Sequence, residues 1–161
     1  MRTARPKRFL VALFAIAMLA LTVRVAYVIG AKSGEAPLGD QIYYNAQAIT
    51  NADGNWFRDA VDGQPTAEHP PLTALVLTPV SWIAARFDDR SGTVMAHRLT
   101  MAVLGVLVVI TIGFLGRAVG GNRAGLIAAA IAAIYPGLWI NDGLIMSETL
   151  ATLSVALALL L

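Results

Sequence analysis

Hydrophobic positions in this chain come in long blocks rather than in alternation. "FLVALFAIAMLALTV" runs uncharged from Phe9 to Arg24, and "VAYVIGA" carries the apolar character on to Ala31. About 20 apolar residues wound as a helix cross the ~30 Å hydrocarbon core of a bilayer. The pattern therefore predicts a first transmembrane helix over 9–30, with Arg24 near its far end and reaching for the interface. Further blocks run from Leu99 to Gly116, from Ala124 to Ile140 and from Leu150 to Leu161. They predict spans over 96–116 and 124–140, and the start of a fourth over 148–161. That last run, about 12 residues, is too short to cross, so the chain reads as the N-terminal piece of a larger protein.

Between the first two spans lies a polar stretch, 31–95. Asp40 opens a short helix there, in which Ile42, Ala46 and Ile49 fall at i, i+4 and i+7 and make one apolar face. "NADGNW" and "VDGQPTAEHPP" follow with turn chemistry. "LTALVLTPVSWIAARF", Leu72 to Phe87, begins after Pro70 and Pro71, which suit a first helical turn, and carries Pro79 inside it. It predicts a helix lying in the membrane interface, with Trp82 at headgroup depth. Small residues recur in the later spans (Gly105, Gly113, Ala128 to Ala130, Ala132, Ala133), as close helix packing requires. The fold class expected is an all-α polytopic membrane protein with an external loop carrying two interfacial helices.

Composition agrees: 57% of residues are hydrophobic and 14% charged, and mean hydropathy is +0.67. With no cysteine there is no disulfide framework and no thiolate metal site. A net charge of +2 is too small to imply nucleic acid. Its distribution is more informative. Arg2, Arg5, Lys7 and Arg8 make a basic tail over 1–8, and Arg117 and Arg123 flank a turn over 117–123 that holds no acid. The 31–95 loop instead carries Glu35, Asp40, Asp53, Asp59, Asp62, Glu68, Asp88 and Asp89 against Lys32, Arg58, Arg86 and Arg90. The positive-inside rule then puts the N-terminus and the 117–123 turn in the cytoplasm, and 31–95 and the 141–147 turn outside. A cleaved signal sequence also has a basic start and an apolar centre. The length of the first run and the spans behind it favour an anchor in the cell membrane.

Several residues outside the apolar blocks offer chemistry. Asp40 suits a helix N-cap, or a general base held near the bilayer surface. Tyr43 and Tyr44 give it polar, stackable neighbours on the same helix. Glu68 and His69 precede two stiffening prolines, where the imidazole is either solvated or meets an anionic headgroup or phosphate. His97 and Arg98 open the second span, as interface anchors or as phosphate contacts. Asp142 sits in an ordinary "NDG" turn. Glu148 suits the start of a helix, or a functional acid at the membrane boundary. Two distant histidines without an HExxH pattern give a divalent metal no support.

Four segments in order, "GDQIYYNAQAI", "EHPPLTALVLTPV", "AHRLTMAVLGVL" and "GGNRAGLIAAAIAAIYPGLWINDGLIMSETLATL", resemble the start of a GT-C-fold glycosyltransferase. They are similar to the family-39-like bacterial enzymes, to protein O-mannosyltransferases and to lipid A aminoarabinose transferase. The resemblance implies transfer of a sugar from a polyprenyl-phosphate donor to a lipid, glycan or protein acceptor at the outer face of the membrane, without a cofactor. It implies Asp40 as catalytic base, and it maps His69 near the lipid phosphate or acceptor and Glu148 to the acid of "SETL". Tyr43, Tyr44 and Arg98 join His69 and Glu148 as candidate substrate contacts. Where the family often carries a second acid beside the base, this chain has Gln41. A single base implies inversion at the anomeric carbon. The rival expectation is a multi-span transporter or a non-catalytic membrane assembly subunit.

Overall fold

The structure is a computed structural model that describes residues 6–87 and 92–161. Arg2, Arg5, Asp88, Asp89 and Arg90, which enter the charge balance of the sequence, lie outside the described residues. The described chain is helical, with no strand and one isolated antiparallel bridge, Arg58 to Pro65. In order it forms α1 (Pro6–Tyr27), α2 (Asp40–Ala52), α3 (Pro71–Arg86), α4 (Thr93–Ile134), α5 (Pro136–Asp142) and α6 (Glu148–Leu160). A wider π turn, Val28–Lys32, continues α1. Two helices, Lys7–Lys32 and Thr93–Ile134, are long and apolar enough to cross a membrane.

Gly121 interrupts α4 with φ 77° and ψ −175°, a conformation that glycine alone adopts without strain. The chain reverses there, and the two arms of α4 pack face to face through small residues. A methyl group added to Gly116 would stand 2.9 Å from Cβ of Ala128, and one on Gly113 3.2 Å from Cβ of Ala129. Helix therefore runs through most of 117–123, and the expected seven-residue turn shrinks to a single glycine. The expected helix over 124–140 is likewise divided. Pro136 has no N–H and pushes Tyr135 out of helical geometry (φ −68°, ψ 118°), so α5 starts as a separate piece.

Against this hairpin α1 lays one stripe. Phe9, Leu13, Ala17 and Ala20 are buried against Val106 and Val109 of the first arm and Ala129, Ala132 and Ala133 of the second. Arg24 is the next residue on that stripe, and it is fully buried rather than reaching for an interface. Its Nε donates to Oδ2 of Asp142 at 2.7 Å, and Nη1 reaches the carbonyls of Ala20 and Ala133, each at 3.2 Å. The Thr149 hydroxyl donates to Oδ1 of the same aspartate at 2.7 Å. Asp142 is thus not a plain turn residue. Burial raises its carboxyl above the ordinary range, opposed by the Thr149 hydrogen bond and the Arg24 charge. Gly105 makes the pair possible, because any β-carbon there would collide with the Asp142 carboxylate.

The short helix α2 turns its Ile42 side away from the protein. Tyr44, Gln47, Ala48 and Asn51 are buried, whereas Ile42 is exposed and Ala46 and Ile49 only half-buried. Polar side chains can face inward because they satisfy one another: Gln47 Nε2 donates to Asn51 Oδ1 at 2.9 Å, and Asn51 Nδ2 points to Thr78 Oγ1 at 3.4 Å on α3. Leu72, Leu75, Trp82 and Ile83 of α3 also face outward. The Arg86 guanidinium covers the Trp82 ring, 3.5 Å from its centroid.

Removing one partner of a buried ion pair leaves an uncompensated charge and costs about 3–5 kcal/mol. Arg24→Ala in the full-length protein should lower its melting temperature in detergent sharply, and Arg24→Met with Asp142→Leu should recover much of the loss. A single variant melting like the wild type contradicts the anchoring role of the pair.

Candidate functional site

Gly39, with φ 57° and ψ −133°, turns the chain into α2 and takes the cap position, so Asp40 is the first helical residue and not the N-cap. Its carboxylate lies in the first turn, where the helix dipole favours negative charge. Tyr43 and Tyr44 follow at i+3 and i+4 and share its face. His69 arrives from the far side of the loop. Pro70 is extended (φ −55°, ψ 128°) and Pro71 opens α3, so the two prolines fix how the imidazole approaches.

His69 Nε2 and Asp40 Oδ1 stand 3.9 Å apart, with the Asp40 side chain 54% exposed and His69 26%. That gap exceeds a direct hydrogen bond and is wide enough for a bridging water or substrate oxygen. The Tyr43 ring packs edge-on against His69 at a centroid distance of 4.4 Å, and Tyr44 lies at 5.4 Å. Four of the six candidate residues therefore meet around one imidazole. The cluster offers a carboxylate able to accept a proton, an imidazole able to donate a hydrogen bond, and two aromatic faces. No family model, curated protein or solved structure matches this chain. The chemistry therefore rests on the side chains themselves.

Arg98 and Glu148 lie apart from the cluster. Arg98 is buried, and its Nη1 donates to the carbonyls of Lys32 and, at 2.9 Å, of Glu35. It thus clasps the segment that leads into Gly39 and Asp40 instead of facing an open site. Glu148 is the exposed first residue of α6 and borders a hollow of about 30 Å³ with Asn141, Asp142 and Thr149. Among the described residues no group of three or more acidic or histidine side chains is placed to hold a metal ion.

A second histidine organises the site without entering it. His97, buried on α4, takes Ser81 Oγ of α3 at Nε2 and Asn45 Oδ1 of α2 at Nδ1, each at 2.9 Å. A neutral ring carrying its proton on Nδ1 satisfies both contacts, donating to Asn45 and accepting from Ser81. This bridge sets the rotation of α2, and hence the face on which Asp40 and Tyr43 appear. The sequence places His97 beside Arg98 at a helix start but gives no sign of its distant partners.

Arg98→Ala removes two part-buried hydrogen bonds from a charged donor, each worth about 1.5–3 kcal/mol. Amide hydrogen exchange over 33–39 in the full-length protein should speed up, while the inner turns of α6 keep their protection. Unchanged exchange over 33–39 contradicts the clasp.

Proposed function

We propose that this chain forms the donor-side end of an integral-membrane glycosyltransferase, which moves a sugar from a polyprenyl-phosphate carrier to an acceptor at the extracytoplasmic face. The observation that carries this is the meeting of Asp40, Tyr43, Tyr44 and His69, drawn from two segments of one loop beside a helix apolar enough to cross a membrane. A base, a phosphate-facing imidazole and stacking surfaces are what the reaction needs, since a sugar phosphate already carries its leaving group.

The acceptor hydroxyl attacks the anomeric carbon while the bond from that carbon to the phosphate oxygen breaks. The carrier phosphate departs with the electron pair, and Asp40 takes the hydroxyl proton. Attack opposite the leaving group inverts the centre. His69, protonated or as a neutral donor, steadies the phosphate. The outward apolar residues of α2 and α3, Ile42, Leu72, Leu75 and Trp82, seat the site in the outer leaflet, where the carrier's tail lies. Charge asymmetry across the loops supports that orientation. Arg98 and Glu148 make no contact with the reacting atoms in this scheme.

A transporter would use charges buried among apolar helices, and Arg24 with Asp142 is such a pair. Their surroundings argue against it. Gly105 is pressed against the carboxylate and Thr149 holds its other oxygen, and the hollow that the described residues leave beside Asp142 is only about 30 Å³.

Asp40→Asn removes the proton acceptor and keeps the shape. Because Asp40 is not the cap, the stability change should stay within the ~0.3–1 kcal/mol of a helix-terminus charge. Transfer from a polyprenyl-phosphate sugar by the full-length variant should fall at least about a hundredfold. Near-normal transfer sinks the assignment of Asp40 as base. His69→Ala should raise the KM for the lipid donor with little change in melting, and an unchanged donor KM removes His69 from the phosphate site.

A further inference from the structure

The segment between α2 and α3 closes on itself. Thr66 N donates to Phe57 O at 2.9 Å, Asp59 N to Gln64 O at 2.8 Å, and Arg58 Nη1 to Gly63 O at 2.9 Å. Gly63, at φ 70°, makes the reversal. At the neck of this loop Phe57 has φ 52°, the one non-glycine residue with positive φ among the described residues. Left-handed backbone is a genuine outlier for a bulky side chain, and such strain persists only where neighbours impose it. Buried Asn51 does so here, its Oδ1 accepting from Phe57 N at 2.9 Å while also held by Gln47.

Phe57 lines an open cleft of about 600 Å³ together with Thr66, Glu68, His69, Pro70 and Pro71. Its chemistry is mixed in a specific way. Phenylalanine and two prolines offer flat apolar surface, and Thr66, Glu68 and His69 offer a hydroxyl, a carboxylate and an imidazole. Exposed Glu68 accepts from a hydroxyl and repels an anion beside it, which leaves a phosphate to the His69 side shared with Asp40. A pyranose satisfies both sides, with its C–H face on the aromatic ring and its hydroxyls toward the carboxylate and imidazole. His69 belongs to the cleft and to the Asp40 cluster alike, so a ring held here lies next to the proposed base.

We propose that this cleft is a pyranoside subsite and that it holds the ring of the transferred sugar, stacked on Phe57 with hydroxyls donated to Glu68. The assignment of the ring to the transferred group rests on the glycosyl-transfer function proposed above. The backbone strain at Phe57 is retained because it presents the ring to the sugar.

The full-length protein in phospholipid nanodiscs is titrated with methyl α-D-mannopyranoside, methyl β-D-glucopyranoside and methyl β-D-galactopyranoside, read by saturation-transfer NMR. At least one should bind, and Phe57→Gly should weaken it by about tenfold or more, the loss of one stacking contact. Glycine adopts φ 52° freely, so that variant should melt near the wild type. Phe57→Tyr should retain binding, and Glu68→Gln, which keeps the shape, should weaken it severalfold. Equal pyranoside affinity in the wild type and Phe57→Gly overturns the subsite, as does a wild type that binds none of the three. If sugar transfer proceeds while pyranosides ignore Phe57, the subsite fails and glycosyl transfer stands. If pyranosides bind through Phe57 but no polyprenyl-phosphate sugar is used, the glycosyl-transfer function fails and the subsite stands.

Discussion

The buried pair of Arg24 and Asp142 fixes the register of everything around it. One guanidinium touches the α5 carboxylate and a carbonyl of the second arm of α4, and the same carboxylate holds the first turn of α6 through Thr149. A charge in such surroundings is tolerated only when paired, so sliding or rotating α1 would expose each partner to a cost of several kcal/mol. Fixing α1 also fixes the segment that leaves its end. The π turn delivers the Lys32 carbonyl to Arg98, Arg98 holds Glu35 as well, and four residues later Gly39 turns the chain into Asp40. The candidate base is therefore referenced, contact by contact, to the packed helices below it.

The second constraint is the outward direction of apolar surface. α2 buries Tyr44, Gln47 and Asn51 and displays Ile42, and α3 displays Trp82 and Ile83. Inward polar groups bind the elements together through directional contacts, above all the Asn45–His97–Ser81 bridge. Hydrogen bonds of that kind specify one rotation of a helix, whereas an apolar contact tolerates several. A site assembled from two separate loop segments depends on that specificity, because Asp40 and His69 have no covalent neighbour in common to hold them.

Much of the architecture is legible in the sequence because length and composition decide it. The uncharged runs mark the helices, Pro70 and Pro71 mark the start of α3, and the glycines and alanines of α4 mark where its arms touch. Pairing across the fold is less legible. Arg24 looks like an interface residue when judged by its distance from the end of its run. Its place on the stripe of Phe9, Leu13, Ala17 and Ala20 is the signal that it turns inward. Asp142 looks like turn chemistry until its partner is known. The i, i+4, i+7 pattern of α2 says which side is apolar, but the partners of its polar side, Thr78 and His97, leave no local mark. The strain at Phe57 leaves no mark in the sequence, since it is imposed by Asn51 through the fold.

The proposed chemistry requires above all a membrane lying between the Asp40 end of the molecule and the reversal at Gly121. This chain has no cysteine, and Val61 and Val119 are 94% and 89% exposed at those two ends. Val61→Cys and Val119→Cys, placed singly in the full-length protein, can be exposed in intact cells to a thiol reagent that does not cross membranes. The first should be labelled from outside, and the second only after the cells are permeabilised. Labelling of both positions from the same side would contradict a membrane between them.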